Sequence, residues 1–199
     1  MAEVSEHRNY VGGMWDEIGP CQFDFLVAQG LMPEHCLLDF GCGSLRAGRF
    51  FISYLNPENY IGFDHHQWLI DEGLKSEVPI SVREARHPQF IVNDDLDLSD
   101  CRKEPDYVLL HSIFTHMTVE DIGRTLASLH RFSHALVFAS FNVESDQQNP
   151  KESGDHNTFS YPIEQMESLA RNTGWKSRFL GNFHHPRGQQ MMKYWKEKG

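Results

Sequence analysis

Basic side chains are in short supply. The chain has 18 Lys and Arg against 28 Asp and Glu, a formal net charge of -10 at pH 7. Non-specific nucleic-acid affinity comes mainly from Lys and Arg contacts to phosphates, so this balance argues against a broad nucleic-acid surface and leaves room only for a small local patch. Long apolar runs are also missing. No stretch approaches the roughly 20 residues of a membrane span, and the first ten residues, MAEVSEHRNY, are polar and acidic rather than the apolar core of a secretion signal. A cytoplasmic protein without nucleic-acid or membrane partners is expected. The four cysteines, Cys21, Cys36, Cys42 and Cys101, form neither a CxxC pair nor a small disulfide framework, which suits thiols in a reducing compartment. HExxH and HxH are absent, so no metal site is expected despite 12 histidines.

What is present suits a packed domain. Hydrophobic residues make up 40% and aromatics 12%, more than disordered chains carry. At 199 residues one domain is expected, with 1–33 as a helical extension and 34–199 as the core. Met14, Ile18, Phe23, Leu26, Val27 and Leu31 have helical spacing, interrupted early by Gly19-Pro20. Short apolar runs then alternate with helical patterns. Strands are predicted at Cys36–Phe40, Tyr60–Phe63, Phe90–Val92, Asp106–Leu110 and Ala135–Ala139, and helices at Leu45–Leu55, Trp68–Lys75 and Val119–Phe132. Thr118 is placed to cap the last of these helices, with Asp121 three residues on. A polar stretch from Val143 to Thr158 reads as a mobile loop, lid or acceptor-recognition segment. A helix at Ile163–Asn172 and a hairpin of Trp175–Leu180 and Gln189–Trp195 complete the chain. The alternation predicts an α/β, Rossmann-like fold: a seven-stranded, mostly parallel sheet with helices on both faces and an antiparallel C-terminal hairpin.

The strongest chemical signal is LLDFGCGSLR, residues 37–46. A strand enters a turn with two glycines one residue apart, Gly41 and Gly43 around Cys42, and then a helix. Glycine allows the sharp turn and close ligand approach, and a helix start offers free N–H groups. Asp64 ends the next strand 21 residues after Gly43, where an acid can accept both ribose hydroxyls of a nucleoside cofactor. A dinucleotide site needs a third glycine, whose place is taken by Arg46. Asp39 lies just before the first glycine. A carboxylate there sits poorly beside a pyrophosphate but suits an ammonium and a sulfonium, both of which S-adenosylmethionine (SAM) carries.

LLDFGCGSLRAG followed by YIGFD resembles the first two motifs of class I SAM-dependent methyltransferases. The segments YVGGMWDEIGPCQFDFL, DYVLLHSIFTHM and HPRGQQM resemble one bacterial subgroup associated with small-molecule and sugar modification, so the likeness spans nearly the whole chain. It implies that Asp39, Gly41 and Gly43 lie at the methionine moiety, Asp64 at the ribose and Asp94 or Asp95 at the adenine; Cys42, between the glycines, and His65, directly after the ribose position, are further candidate cofactor contacts. His111, after the fourth strand, matches a position that faces the cofactor and often the acceptor. The residues there, His111-Ser112-Ile113-Phe114, depart from the [DN]PP[YF] motif of amino methyltransferases acting on nucleic acids.

The acceptor side is left to histidine and aromatic chemistry. A hydroxyl acceptor needs a base with a pKa near the working pH, and histidine fits. His111, His116 and His184 are the candidate bases; His185, Arg187 and Trp15 are candidate acceptor contacts, Arg187 for a carboxylate or phosphate. The expected activity is SAM-dependent methylation of a small molecule or sugar, on oxygen, in a protein of unassigned oligomeric state. Two rival readings are a nicotinamide-dependent oxidoreductase, which lacks its third glycine and a Tyr-x-x-x-Lys pair, and a non-catalytic SAM-binding subunit serving a partner.

Overall fold

The computed structural model describes residues 5–144 and 148–197. They belong to two compact units, Met1–Lys103 and Glu104–Gly199. The sheet has seven strands, ordered β3-β2-β1 in the first unit and β4-β5-β7-β6 in the second.

The first unit holds α1 (Glu6–Tyr10), α2 (Trp15–Ala28), β1 (Leu37–Phe40), α3 (Gly48–Tyr54), β2 (Tyr60–Asp64), α4 (Gln67–Ser76), α5 (Ile80–Arg86) and β3 (Gln89–Val92). β1 pairs with β2 and β2 with β3, both parallel, with Asp39 level with Gly62. Every residue of β1 and β2 is buried, as expected of parallel strands covered on both faces. In the second unit, β4 (Tyr107–Leu110) runs parallel to β5 (Leu136–Phe141), and β5 pairs antiparallel with β7 (Gln190–Trp195), which pairs antiparallel with β6 (Lys176–Asn182). The helices are α6 (Val119–Ser128) and α7 (Ile163–Asn172). The Rossmann-like sheet with its antiparallel C-terminal hairpin is therefore as the sequence predicts. The Thr118 hydroxyl accepts the Asp121 N–H and caps α6 as expected.

Three local expectations differ. Pro20 lies inside α2 instead of breaking it. The carbonyl it leaves without a helical donor belongs to Asp16, in the exposed first turn, where water can serve it. Helices α1 and α5 carry too few apolar residues to show periodicity: α5 buries none and α1 only His7. The polar segment after β5 is also less free than its composition suggests. Ser145, Asp146 and Gln147 lie outside the described residues. Further on, Gly154 N–H bonds the His116 carbonyl, Phe159 N–H the Thr115 carbonyl, and the Ser153 hydroxyl accepts from Thr118 N–H at 2.8 Å. The Ser153 hydroxyl in turn donates to the Asp121 carboxylate.

Candidate active site

In the first unit the chemistry gathers where β1 ends. Gly41 and Gly43 take φ of 77° and 51°, left-handed values that favour glycine. The N–H groups of Gly41 and Cys42 both donate to the Phe63 carbonyl, at 2.7 and 3.0 Å, which folds the turn back onto β2. A Cβ on Gly43 would stand 2.9 Å from a methyl of Val11, so the N-terminal segment passes directly over this turn. Arg46, at the missing third glycine, donates to the Val11 and Gly13 carbonyls at 3.0 Å each and ties that segment down. A second tie is Arg8, whose guanidinium holds the buried Glu77 carboxylate at 2.8 and 2.9 Å.

Two acids are buried at this turn, Asp39 at 5% exposure and Asp64 at 7%. Asp64 accepts Gly43 N–H at 2.8 Å on one oxygen and His66 N–H at 2.9 Å on the other. Each carboxylate oxygen has a further lone pair for a ligand hydroxyl. Asp39 accepts the Tyr60 hydroxyl at 2.8 Å. Gly48 at the start of α3 makes room for that hydroxyl, because a Cβ there would lie 2.7 Å from it. Burial raises the Asp39 carboxyl to about 6; Tyr60 opposes the shift, nearby Asp64 adds to it, and Arg46 opposes it. Cys42 is turned inward against β2, with its sulfur 3.0 Å from where a Cβ on Gly62 would be. Burial, with Asp64 and Asp39 nearby, pushes its thiol well up.

His65 is exposed, and its ring is tilted against that of His66 with centroids 3.9 Å apart. The His66 ring is 3.2 Å from the Tyr10 hydroxyl. Among the described residues, Asp64, His65 and His66 form the one group of three donors close enough to hold a metal ion. Asp94 and Asp95 are exposed after β3, and Asp95 accepts Asp97 N–H at 3.2 Å. Trp15 is buried at the head of α2, with the Arg8 and Arg49 guanidiniums 4.7 and 5.5 Å from its ring centroid.

In the second unit His111 is buried at the end of β4. Its Nδ1 is 3.1 Å from the Ser112 hydroxyl. That hydroxyl donates to Gln189 Oε1 at 3.1 Å, and the Ser140 hydroxyl donates to the same oxygen at 2.7 Å. Ser112 N–H closes the ring of bonds on Ser140 Oγ at 2.7 Å. His185 is buried beside His111, ring centroids 4.9 Å apart, and Phe183 meets His111 edge-on at 6.0 Å. The other histidines differ. His116 Nδ1 is 2.6 Å from the Asn157 carbonyl, so it carries its hydrogen there and holds the polar segment. His184 is exposed with a left-handed φ of 63°. Arg187 is exposed, and its N–H donates to His185 Nδ1 at 3.2 Å. Ser112, Ser140 and Gln189 lie 28 to 77 residues apart, and no local sequence pattern announces their meeting.

No protein-family model matches the chain. Solved structures do. Magnesium protoporphyrin IX methyltransferase from Synechocystis PCC 6803 with bound S-adenosylhomocysteine (SAH) is 13% identical, over 99% of this chain and 90% of that one, with a TM-score of 0.65. A putative O-methyltransferase from Nostoc punctiforme PCC 73102 is 17% identical, over 96% of this chain and 61% of that one, at 0.69. A SAM-dependent methyltransferase from Clostridium acetobutylicum ATCC 824 is 10% identical, over 94% of each chain, at 0.63. The fold is that of SAM-dependent methyltransferases. Within this methyltransferase fold, the GCG turn follows β1 and Asp64 ends β2, the placement that the sequence resemblance implied. No helix among the described residues is long and apolar enough to cross a membrane.

Proposed function

We propose that the protein is a SAM-dependent methyltransferase of the cytoplasm that methylates a small-molecule or sugar acceptor on oxygen. The observation that carries this reading is the buried pair Asp39 and Asp64 around the GCG turn. Two carboxyls at a site of low polarity invite a cation and hydroxyls. Asp39, buried in β1 just before the turn with a carboxyl raised to about 6, is mostly ionised at pH 7 and is assigned as the partner for an ammonium. Asp64, pre-oriented by two backbone N–H groups, is the partner for ribose hydroxyls. These residues fit SAM better than a dinucleotide, because Arg46 fills the third glycine position and its guanidinium is committed to Val11 and Gly13. Gly41, Cys42 and Gly43 shape the turn, His65 flanks the ribose position, and Asp94 or Asp95 serves the adenine.

When bound, SAM supplies an electrophilic methyl group on a sulfonium. The chain's own task is to hold the acceptor about 3 Å from that carbon and to take its proton. His111 is assigned as the base. Its Nδ1 lies 3.1 Å from the Ser112 hydroxyl, and Nε2 is assigned to receive the proton. His185 and Arg187 are assigned to the acceptor. His116 and Trp15 have structural partners, and His184 is solvent-facing, so the base role fits His111 better. Neither the nicotinamide reading nor the non-catalytic reading gains a supporting observation.

Calorimetric titration with SAM and SAH, with NADH and NADPH as controls, tests the cofactor. Saturable micromolar binding of the first pair, lost in Asp64→Ala, is expected. Binding of a nicotinamide nucleotide instead, or of nothing, sinks the proposal.

A further inference from the structure

We infer that Gln189 is a positioning residue for His111, and that it acts through the Ser112 hydroxyl by fixing which ring nitrogen carries the hydrogen. The inference rests on His111 being the base, but its physical content can be measured without any reaction.

A serine hydroxyl has one hydrogen to give and two lone pairs. Ser140 gives its hydrogen to Gln189 Oε1 and takes Ser112 N–H on its oxygen. Ser112 gives its own hydrogen to the same Oε1. Toward His111 the Ser112 oxygen therefore presents only lone pairs, across 3.1 Å. With the Ser112 hydrogen on Gln189, His111 Nδ1 is the donor in the inferred arrangement, and the basic lone pair is directed to Nε2. Gln189 is 4% exposed and Ser140 0%, so water does not compete readily for the bond between them. Ser112 has a φ of 60°, a left-handed conformation that is strained for a non-glycine residue and persists where the surroundings impose it. Its N–H and its hydroxyl are each held by one member of the network, and together they aim the oxygen at the ring.

The neighbouring imidazole supplies an internal control. His185 Nδ1 accepts the Arg187 N–H, so neutral His185 carries its hydrogen on Nε2. Two buried rings 4.9 Å apart are thus set in opposite forms by different partners.

The test is a long-range proton–nitrogen NMR correlation of the ring nitrogens in the ¹⁵N-labelled full chain at a pH where both rings are neutral. His111→Gln and His185→Gln identify the two sets of signals by their loss. The wild type is expected to show His111 with hydrogen on Nδ1 and His185 with hydrogen on Nε2. Gln189→Leu removes the accepting oxygen and is expected to scramble or invert His111 while leaving His185 unchanged. Gln189→Glu keeps an acceptor and is expected to retain the wild-type form. Should Gln189→Leu fail to fold, Ser112→Ala removes the middle link and is expected to lose the Nδ1 assignment. Hydrogen on Nε2 of wild-type His111, or an unchanged His111 in a folded Gln189→Leu or Ser112→Ala protein, overturns the inference. Once an acceptor is in hand, Gln189→Leu is expected to lower kcat about tenfold or more with little change in KM, since general-base catalysis contributes roughly 10²–10⁴. Failure to bind SAM refutes the proposed activity and leaves the NMR result standing; the reverse outcome refutes only the role of Gln189.

Discussion

Asp39 is the residue whose chemistry is most displaced from its ordinary state. Its carboxyl is raised to about 6, first by burial. The native state without ligand therefore holds this proton more tightly than the unfolded chain, where the value is near 3.9. The stabilising contribution is complete below the unfolded value and is lost as pH rises through about 6. Asp39→Asn keeps an acceptor for Tyr60 and removes the ionisation. It is expected to flatten the fall in ligand-free stability between pH 4 and 7, a change of about 2–3 kcal/mol, read from urea unfolding across that range. Cationic ligand affinity runs the other way. SAM is expected to bind more tightly to the wild type as pH climbs through 6, and this rise should be absent in Asp39→Asn. A pH-independent affinity in the wild type over that window refutes the assignment of Asp39 to the ammonium. Asp39 and Asp64 were legible in the sequence because one lies just before a glycine turn at the end of a strand and the other ends the next strand. Gln189 was not, because its role depends on Ser112 and Ser140, which only the folded second unit brings to it.

Among the elements, α4 shows how closely helix and turn are fitted. Gly73 faces the backbone of Ser44, and a Cβ added there would lie 2.5 Å from the Ser44 carbonyl oxygen. Glycine to alanine inside a helix ordinarily stabilises by about 1 kcal/mol. Here the sign is expected to reverse. Gly73→Ala must push the turn after β1 or the helix itself, at a cost of about 1–3 kcal/mol, seen as a lower urea midpoint together with weaker SAH binding. A midpoint equal to or above that of the wild type shows that the contact yields freely. The central strands and α6 could be read from sequence because burial and capping leave patterns. The helices α1 and α5 could not. The first is held by the Arg8–Glu77 pair and the second has no buried side, so neither needs an apolar stripe.

For the molecule as a whole, the proposed cofactor residues, Asp39 to Asp95, belong to the first compact unit and the proposed base to the second. Hydrogen exchange with and without SAH is expected to slow at residues 10–13, 41–44 and 64–67, and to leave the β6–β7 hairpin unchanged. Equal slowing throughout, hairpin included, points instead to general stabilisation on binding. The order of elements along the chain gave the fold class away, since alternating strands and helices admit few sheets. The acceptor stays outside sequence reading for a physical reason. The proposed acceptor side draws on residues after β4 and β6, whose separation in sequence conceals which of them meet.

Two glycines of the first unit are fitted to the side chains of particular distant residues: Gly43 to Val11, and Gly62 to Phe90 and Cys42. Each forms half of a lock whose other half is elsewhere in the gene. In descendants of this sequence, a side chain can arrive at one of these positions only if its partner shrinks or withdraws in step. These sites are therefore inherited as pairs, and the turn after β1 changes more slowly than the sum of its residues taken singly.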